Sequence, residues 1–135
     1  MTIAFVPAGD LTLNVHGLPI QYDATNKQFV FNNTARVEAE KAGMSAKMAA
    51  NPSKKQKPVK GALKKIPAPT VDGKVKLRVL VDRASLELFV NDGQAAASFV
   101  VVPDPKNLSI SITGGDAVKI TSLEVNELKS SWETK

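Results

Sequence analysis

The chain contains no cysteine and one histidine, His16. Without thiols there is no disulfide framework, thiolate metal site or thiol nucleophile. A lone histidine argues equally against a His-based zinc site and a Ser/His/Asp triad, so no metal or cofactor is expected. Aromatic residues are scarce as well, with five Phe, one Tyr and one Trp in 135 positions. They are too scattered to make a stacking platform for nucleic acid. No apolar run approaches the roughly 18 residues that a membrane span requires. Met1–Asp10 lacks a basic start before an apolar stretch, so no signal peptide is expected in the chain.

What remains is the composition of a globular protein, 43% hydrophobic and 23% charged. A length of 135 residues suits a single domain that buries a core without staples. The net charge of +5 is local. Six lysines (Lys54, Lys55, Lys57, Lys60, Lys64 and Lys65) lie in one tract free of acids, and the other 12 basic and 13 acidic residues nearly cancel. A polyanion-binding role would have to use that tract, although charge runs are usually solvated faces.

The first 35 residues read as strands and turns. Thr2–Val6 is a short strand closed by Pro7-Ala8-Gly9-Asp10, and Leu11–Val15 alternates apolar with polar residues as a half-buried strand should. Gln21-Tyr22 and Phe29-Val30-Phe31 flank Asp23-Ala24-Thr25-Asn26-Lys27, a hairpin-type polar loop. Arg36–Ala50 then turns rich in Ala, Glu, Lys and Met, which could form a short helix weakened by Gly43. Asn51–Pro69 carries Pro52, Pro58, Pro67 and Pro69 with the lysine tract and reads as a mobile connection. The Ala/Lys/Pro-rich stretch 36–65 is therefore expected to be an insertion, a short helix or disordered, within one domain spanning 1–135.

From Val75 the strand signal strengthens. If Asp82-Arg83-Ala84-Ser85 closes a hairpin, Val81 faces Leu86, Val79 faces Leu88 and Leu77 faces Val90, so six apolar residues share a face. A one-residue slip would expose one whole set, so the register is well specified. Arg78 and Glu87 would meet diagonally on the other face, as a weak ion pair. Asp92-Gly93 within Asn91–Gln94 suits a type I′ turn, since both positions need positive φ. That turn places Ala95, Ala97, Phe99 and Val101 on the same apolar face. Leu108, Ile110 and Ile112 alternate with Ser109, Ser111 and Thr113. In the last strand Val118 and Ile120 take one parity, Leu123 and Val125 the other, which implies a bulge or a crossing between sheets. Short antiparallel strands with frequent turns predict an all-β antiparallel sandwich of jelly-roll or concanavalin-like type.

The chain offers little chemistry site by site. His16, in Val15-His16-Gly17, reads as a half-buried strand residue. A glycosidase needs two carboxylates facing each other about 5–10 Å apart. Asp82 and Asp92 fall in turns at opposite ends of one strand, Glu87 has Arg78 within reach, and Asp104 lies between prolines. Gly114-Gly115-Asp116 is a turn without the helix or Lys-Ser/Thr pair of a phosphate loop. Phe29, Phe31 and Phe99 point to apolar faces, leaving Tyr22 and Trp132 as the candidate exposed rings for carbohydrate.

The run from Val79 to Gly93, with its Val-Asp-Arg-x-Ser-x-Glu-x-Phe element, resembles the C-terminal β-sandwich of glycoside hydrolase family 32. That family contains invertases, levanases and inulinases, which cleave β-fructofuranosyl linkages. Val15–Asp23 and Ile120–Trp132 fit the same pattern, so the resemblance covers about 1–35 and 66–132. In it Asp82, Arg83, Ser85, Glu87, Phe89, Asn91, Asp92 and Gly93 are motif residues of structural kind. The family's catalytic residues lie in a five-bladed propeller, which needs over about 200 residues. Its Trp-Met-Asn-Asp-Pro-Asn-Gly, Arg-Asp-Pro and Glu-Cys segments do not occur here, so no catalytic residue is carried over. The resemblance implies a module that is not itself an enzyme and packs against a catalytic propeller, on the same chain or another, with fructan or another carbohydrate as a further partner. A free-standing fructan-binding module and the polyanion-binding protein are the alternatives; neither nucleic acid nor membrane is an expected partner. Members are often secreted or periplasmic.

Overall fold

The computed structural model describes residues 1–33, 37–39, 41–43, 63–101 and 106–127. Among them ten strands form two antiparallel sheets. In chain order these are β1 (Thr2–Val6), β2 (Leu11–Val15), β3 (Leu18–Asp23), β4 (Gln28–Asn32), β5 (Leu63–Pro67), β6 (Val75–Val81), β7 (Ser85–Val90), β8 (Ala95–Val100), β9 (Ile110–Gly114) and β10 (Lys119–Glu124). One sheet runs β10-β1-β6-β7-β8 and the other β5-β4-β3-β2-β9. The expected sandwich is what forms. Residues 37–39 and 41–43 are helical, inside the stretch where a short helix was expected.

Period-2 patterning decides which side chains meet. Ile3, Phe5, Leu77, Val79, Leu86, Leu88 and Val90 of the first sheet are buried against Leu11, Leu13, Val15, Leu18, Ile20, Tyr22, Phe29 and Phe31 of the second. Rings bridge the two layers: Phe5 meets Tyr22 edge-on at 5.2 Å between centroids and Phe29 at 6.4 Å. Phe31 packs on Phe99 at 5.0 Å, tying β4 to β8. Such pairs add about 0.5–1.5 kcal/mol each beyond the area they bury.

The β6–β7 register is the expected one, Leu77↔Val90, Val79↔Leu88 and Val81↔Leu86. The surface ion pair among the described residues is not Arg78–Glu87 but Lys76–Asp92, at 2.6 Å. Asp92 (φ 59°) and Gly93 (φ 96°) form the left-handed turn that the Asp-Gly pair calls for, closed by the Gln94 amide on the Asn91 carbonyl at 3.4 Å. The parity change in the last strand is a bulge. Ile120 pairs with Phe5 and Ser122 with Ala4, leaving Thr121 unpaired, and its hydroxyl donates to the Ala4 carbonyl at 3.1 Å.

The structure corrects several expectations. His16 is half-buried but is not in a strand: with φ of 50° at His16 and 80° at Gly17, these two residues form the tight turn between Val15 and Leu18. β3 accordingly starts at Leu18 and includes Pro19. Pro19 stands one residue before the β4 pairing begins at Ile20↔Phe31, so its missing N–H breaks no ladder bond there. Leu63–Pro67 is a strand rather than part of a connection, pairing Ile66 with Phe29 and Lys64 with Phe31. Within it only Ile66 is buried, and the exposed Lys65 and Pro67 suit the sheet edge it occupies. Leu108 lies outside β9 and is exposed. The rest of the lysine tract, from Lys54 to Lys60, and most of the 36–65 stretch lie outside the described residues.

Candidate functional site

The motif residues fall into three groups. At one end of β7 the turn Asp82-Arg83-Ala84 is exposed; the Asp82 amide donates to the Ser85 carbonyl at 2.9 Å, and the Asp82 carboxylate accepts from the Arg83 amide at 2.7 Å. Along β7, Ser85, Glu87 and Phe89 are half-buried and alternate with the core residues, so they lie on the outer face of the first sheet. At the far end Asn91 is buried. Its side-chain carbonyl accepts from the Lys76 amide at 3.1 Å, and its amide donates to the Pro69 carbonyl at 2.6 Å. The motif is therefore a hairpin with a tie at its end.

This geometry does not make a hydrolytic pair. Asp82 and Asp92 flank a six-residue strand, which puts them about 20 Å apart, well beyond the 5–10 Å of a glycosidase pair. Asp82 is held by its own turn and Asp92 by Lys76.

Tyr22 is not an exposed ring. It is only 1% exposed, because it continues the inward set Leu18 and Ile20 while Gln21 points out. Its hydroxyl donates to the Ala68 carbonyl at 3.3 Å, and its ring sits between Phe5 and Phe29. Burial, reinforced by the nearby Asp23 carboxylate, raises the phenol above its ordinary 10.0. Trp132, the other candidate ring, lies outside the described residues.

A shallow hollow of about 300 Å³ opens near the β3–β4 loop, lined by Asp10, Thr12, Gln21, Asp23 and Val30 among others. Its carboxylates are engaged in the fold. Asp10 accepts from the Ala24 amide at 2.9 Å. Asp23 accepts from the Asn26 side chain at 2.6 Å and the Asn26 amide at 3.1 Å, and those bonds hold its carboxyl below the ordinary 3.8. These Asn91 and Asp10 ties were not read from the sequence. A polar residue at the end of an alternating strand, just before an Asp-Gly turn, is the signal that could have pointed to Asn91.

Two antiparallel sheets carrying this hairpin define an all-β sandwich domain. The family described as "Glycosyl hydrolases family 32 C terminal" matches residues 11–127, and the chain belongs to it. Over 69 residues it is 39% identical to a levanase of Bacillus subtilis (strain 168), covering 50% of this chain and 10% of that protein. Over 60 residues it is 43% identical to a levanase of Bacillus sp. (strain L7), covering 44% of this chain and 6% of that one. The exo-inulinase of Aspergillus awamori has the same fold over 87% of this chain and 22% of its own, at a TM-score of 0.59 and 14% identity. The chain thus spans a small part of each relative's length.

Proposed function

We propose that the chain is a non-catalytic C-terminal module of a fructan- or sucrose-acting glycoside hydrolase, packing against a catalytic propeller and stabilising it. The observation that carries this reading is the family match over 117 of the residues, from 11 to 127, in a chain that holds none of the propeller's acidic motifs. The separation of Asp82 and Asp92 at the two ends of β7, with Asp82 engaged in its turn and Asp92 by Lys76, supports it. The burial of Tyr22 weighs against a free-standing sugar-binding module, because it removes one of two candidate rings. The proposed partner is a propeller encoded with it or supplied as a separate chain.

Incubation with sucrose, levan and inulin tests the non-catalytic part. No reducing sugar should appear above a heat-killed control. Release by protein free of contaminating enzyme, lost in no propeller-directed control, would overturn the reading.

A further inference from the structure

β10 is the terminal strand of its sheet, and its six residues are all exposed. Among the described residues nothing pairs with its outer edge. Ile120 is 44% exposed and Leu123 50%, although both stand on the core-facing side, opposite Phe5 and Ile3. Val125, just beyond the strand, is 51% exposed. An apolar edge of this kind is a template for another strand.

The sequence of the edge says which strand fits. Read outward from the point between Thr121 and Ser122, Val118-Lys119-Ile120-Thr121 mirrors Val125-Glu124-Leu123-Ser122. Each apolar residue answers an apolar one, the polar pair meets in the middle, and Lys119 answers Glu124. Residues at mirrored positions about such a point have opposite parity, so in a regular strand they would face opposite sides. The bulge at Thr121 removes that conflict. It places Ile120 and Leu123 inward together, and Lys119 and Glu124 outward together beside Val6 and Thr2.

We infer that β10 pairs antiparallel with β10 of a second copy of this chain, about a two-fold axis between Thr121 and Ser122. The pairing joins the two β10-edged sheets into one. It sets Lys119 opposite Glu124 of the other copy twice, Ile120 opposite Leu123 twice, and Val118 opposite Val125 twice. Glu124 already accepts from the Asn126 side chain at 2.8 Å, which leaves its carboxylate able to take a second donor. This proposal stands apart from the accessory function and does not depend on it.

Sedimentation of the full chain between about 10 μM and about 1 mM tests it, that range spanning weak to moderate self-association. A concentration-dependent dimer is expected. Lys119→Glu alone and Glu124→Lys alone should each weaken it about tenfold, since each replaces two opposite-charge pairs by two like-charge pairs. Both positions are exposed, so circular dichroism should be unchanged. Mixing the two single variants should restore dimer, as a heterodimer, because every facing pair is then of opposite sign again. A monomer throughout would overturn the proposal. So would a dimer indifferent to both reversals, or one that the mixture does not restore.

Discussion

The buried amide of Asn91 donates to the carbonyl of Pro69 at 2.6 Å, tying the end of β7 to the segment that leads out of β5 and into β6. The same side chain accepts from the Lys76 amide at 3.1 Å. Asn91 has a positive φ of 48°, a conformation that asparagine tolerates better than most residues. The left-handed backbone stops the β7 alternation and turns the side chain into the fold, where it supplies the partners that a ladder would have given.

Replacing Asn91 should therefore be costly. Asn91→Ala leaves the Lys76 amide and the Pro69 carbonyl without this partner and keeps an unfavourable φ, for about 2–4 kcal/mol in urea unfolding. Asn91→Asp should cost less in one respect, since a carboxylate still accepts from Lys76, but it cannot donate to Pro69. A cost for Asn91→Ala below about 0.5 kcal/mol would show that the tie is not holding the hairpin.

Tyr22 is the only tyrosine, so its ionisation can be read directly by ultraviolet absorbance. A phenol with its pKa raised in the fold stabilises the native state fully below the unfolded value near 10. That contribution is lost as pH climbs through the folded value. The titration should have its midpoint above 10 in the native protein and return toward 10 in urea. Tyr22→Phe should keep the ring packing and cost about 0.5–1.5 kcal/mol for the bond to Ala68.

Asp23 works in the opposite direction. Its carboxyl is held low first by the Asn26 side chain and then by the Asn26 amide. The stabilising effect is present above the unfolded value of 3.8 and disappears as pH falls through the lower, folded value. Carbon-detected titration should place Asp23 below 3.8, and Asn26→Ala should move it back upward.

The legible part of this fold was the part with uninterrupted alternation. Leu77 to Val90 fixes its own register through six apolar positions, and the parity change between Ile120 and Leu123 marks the bulge at Thr121. The strand Leu63–Pro67 was hidden because a sheet edge needs just one inward residue, Ile66, and its neighbours are lysines and a proline. Tyr22 was expected to be an exposed ring, but its strand is longer than the Gln21-Tyr22 pair and runs from Leu18 to Asp23. Once the His16-Gly17 turn sets the register, alternation through Leu18 and Ile20 carries Tyr22 inward. The Asn91 tie depends on a contact with Pro69, 22 residues away, which no local pattern encodes.

With Tyr22 inside the core, a sugar surface would lack one of its two candidate rings. Titration calorimetry with levan and inulin oligosaccharides should give dissociation constants of about 1 mM or weaker. A micromolar constant lost in Trp132→Ala would favour a sugar-binding module instead.

The central claim is that this sandwich serves a propeller. The direct measurement is thermal inactivation of a levanase propeller deprived of its own C-terminal domain, alone and fused to residues 1–135. The fusion should inactivate more slowly, by about fivefold for each kcal/mol that docking contributes. Its kcat/KM per active site should stay close to that of the parent enzyme. Equal inactivation rates for the bare and fused propellers, with the sandwich still unfolding at its own temperature, would contradict the account.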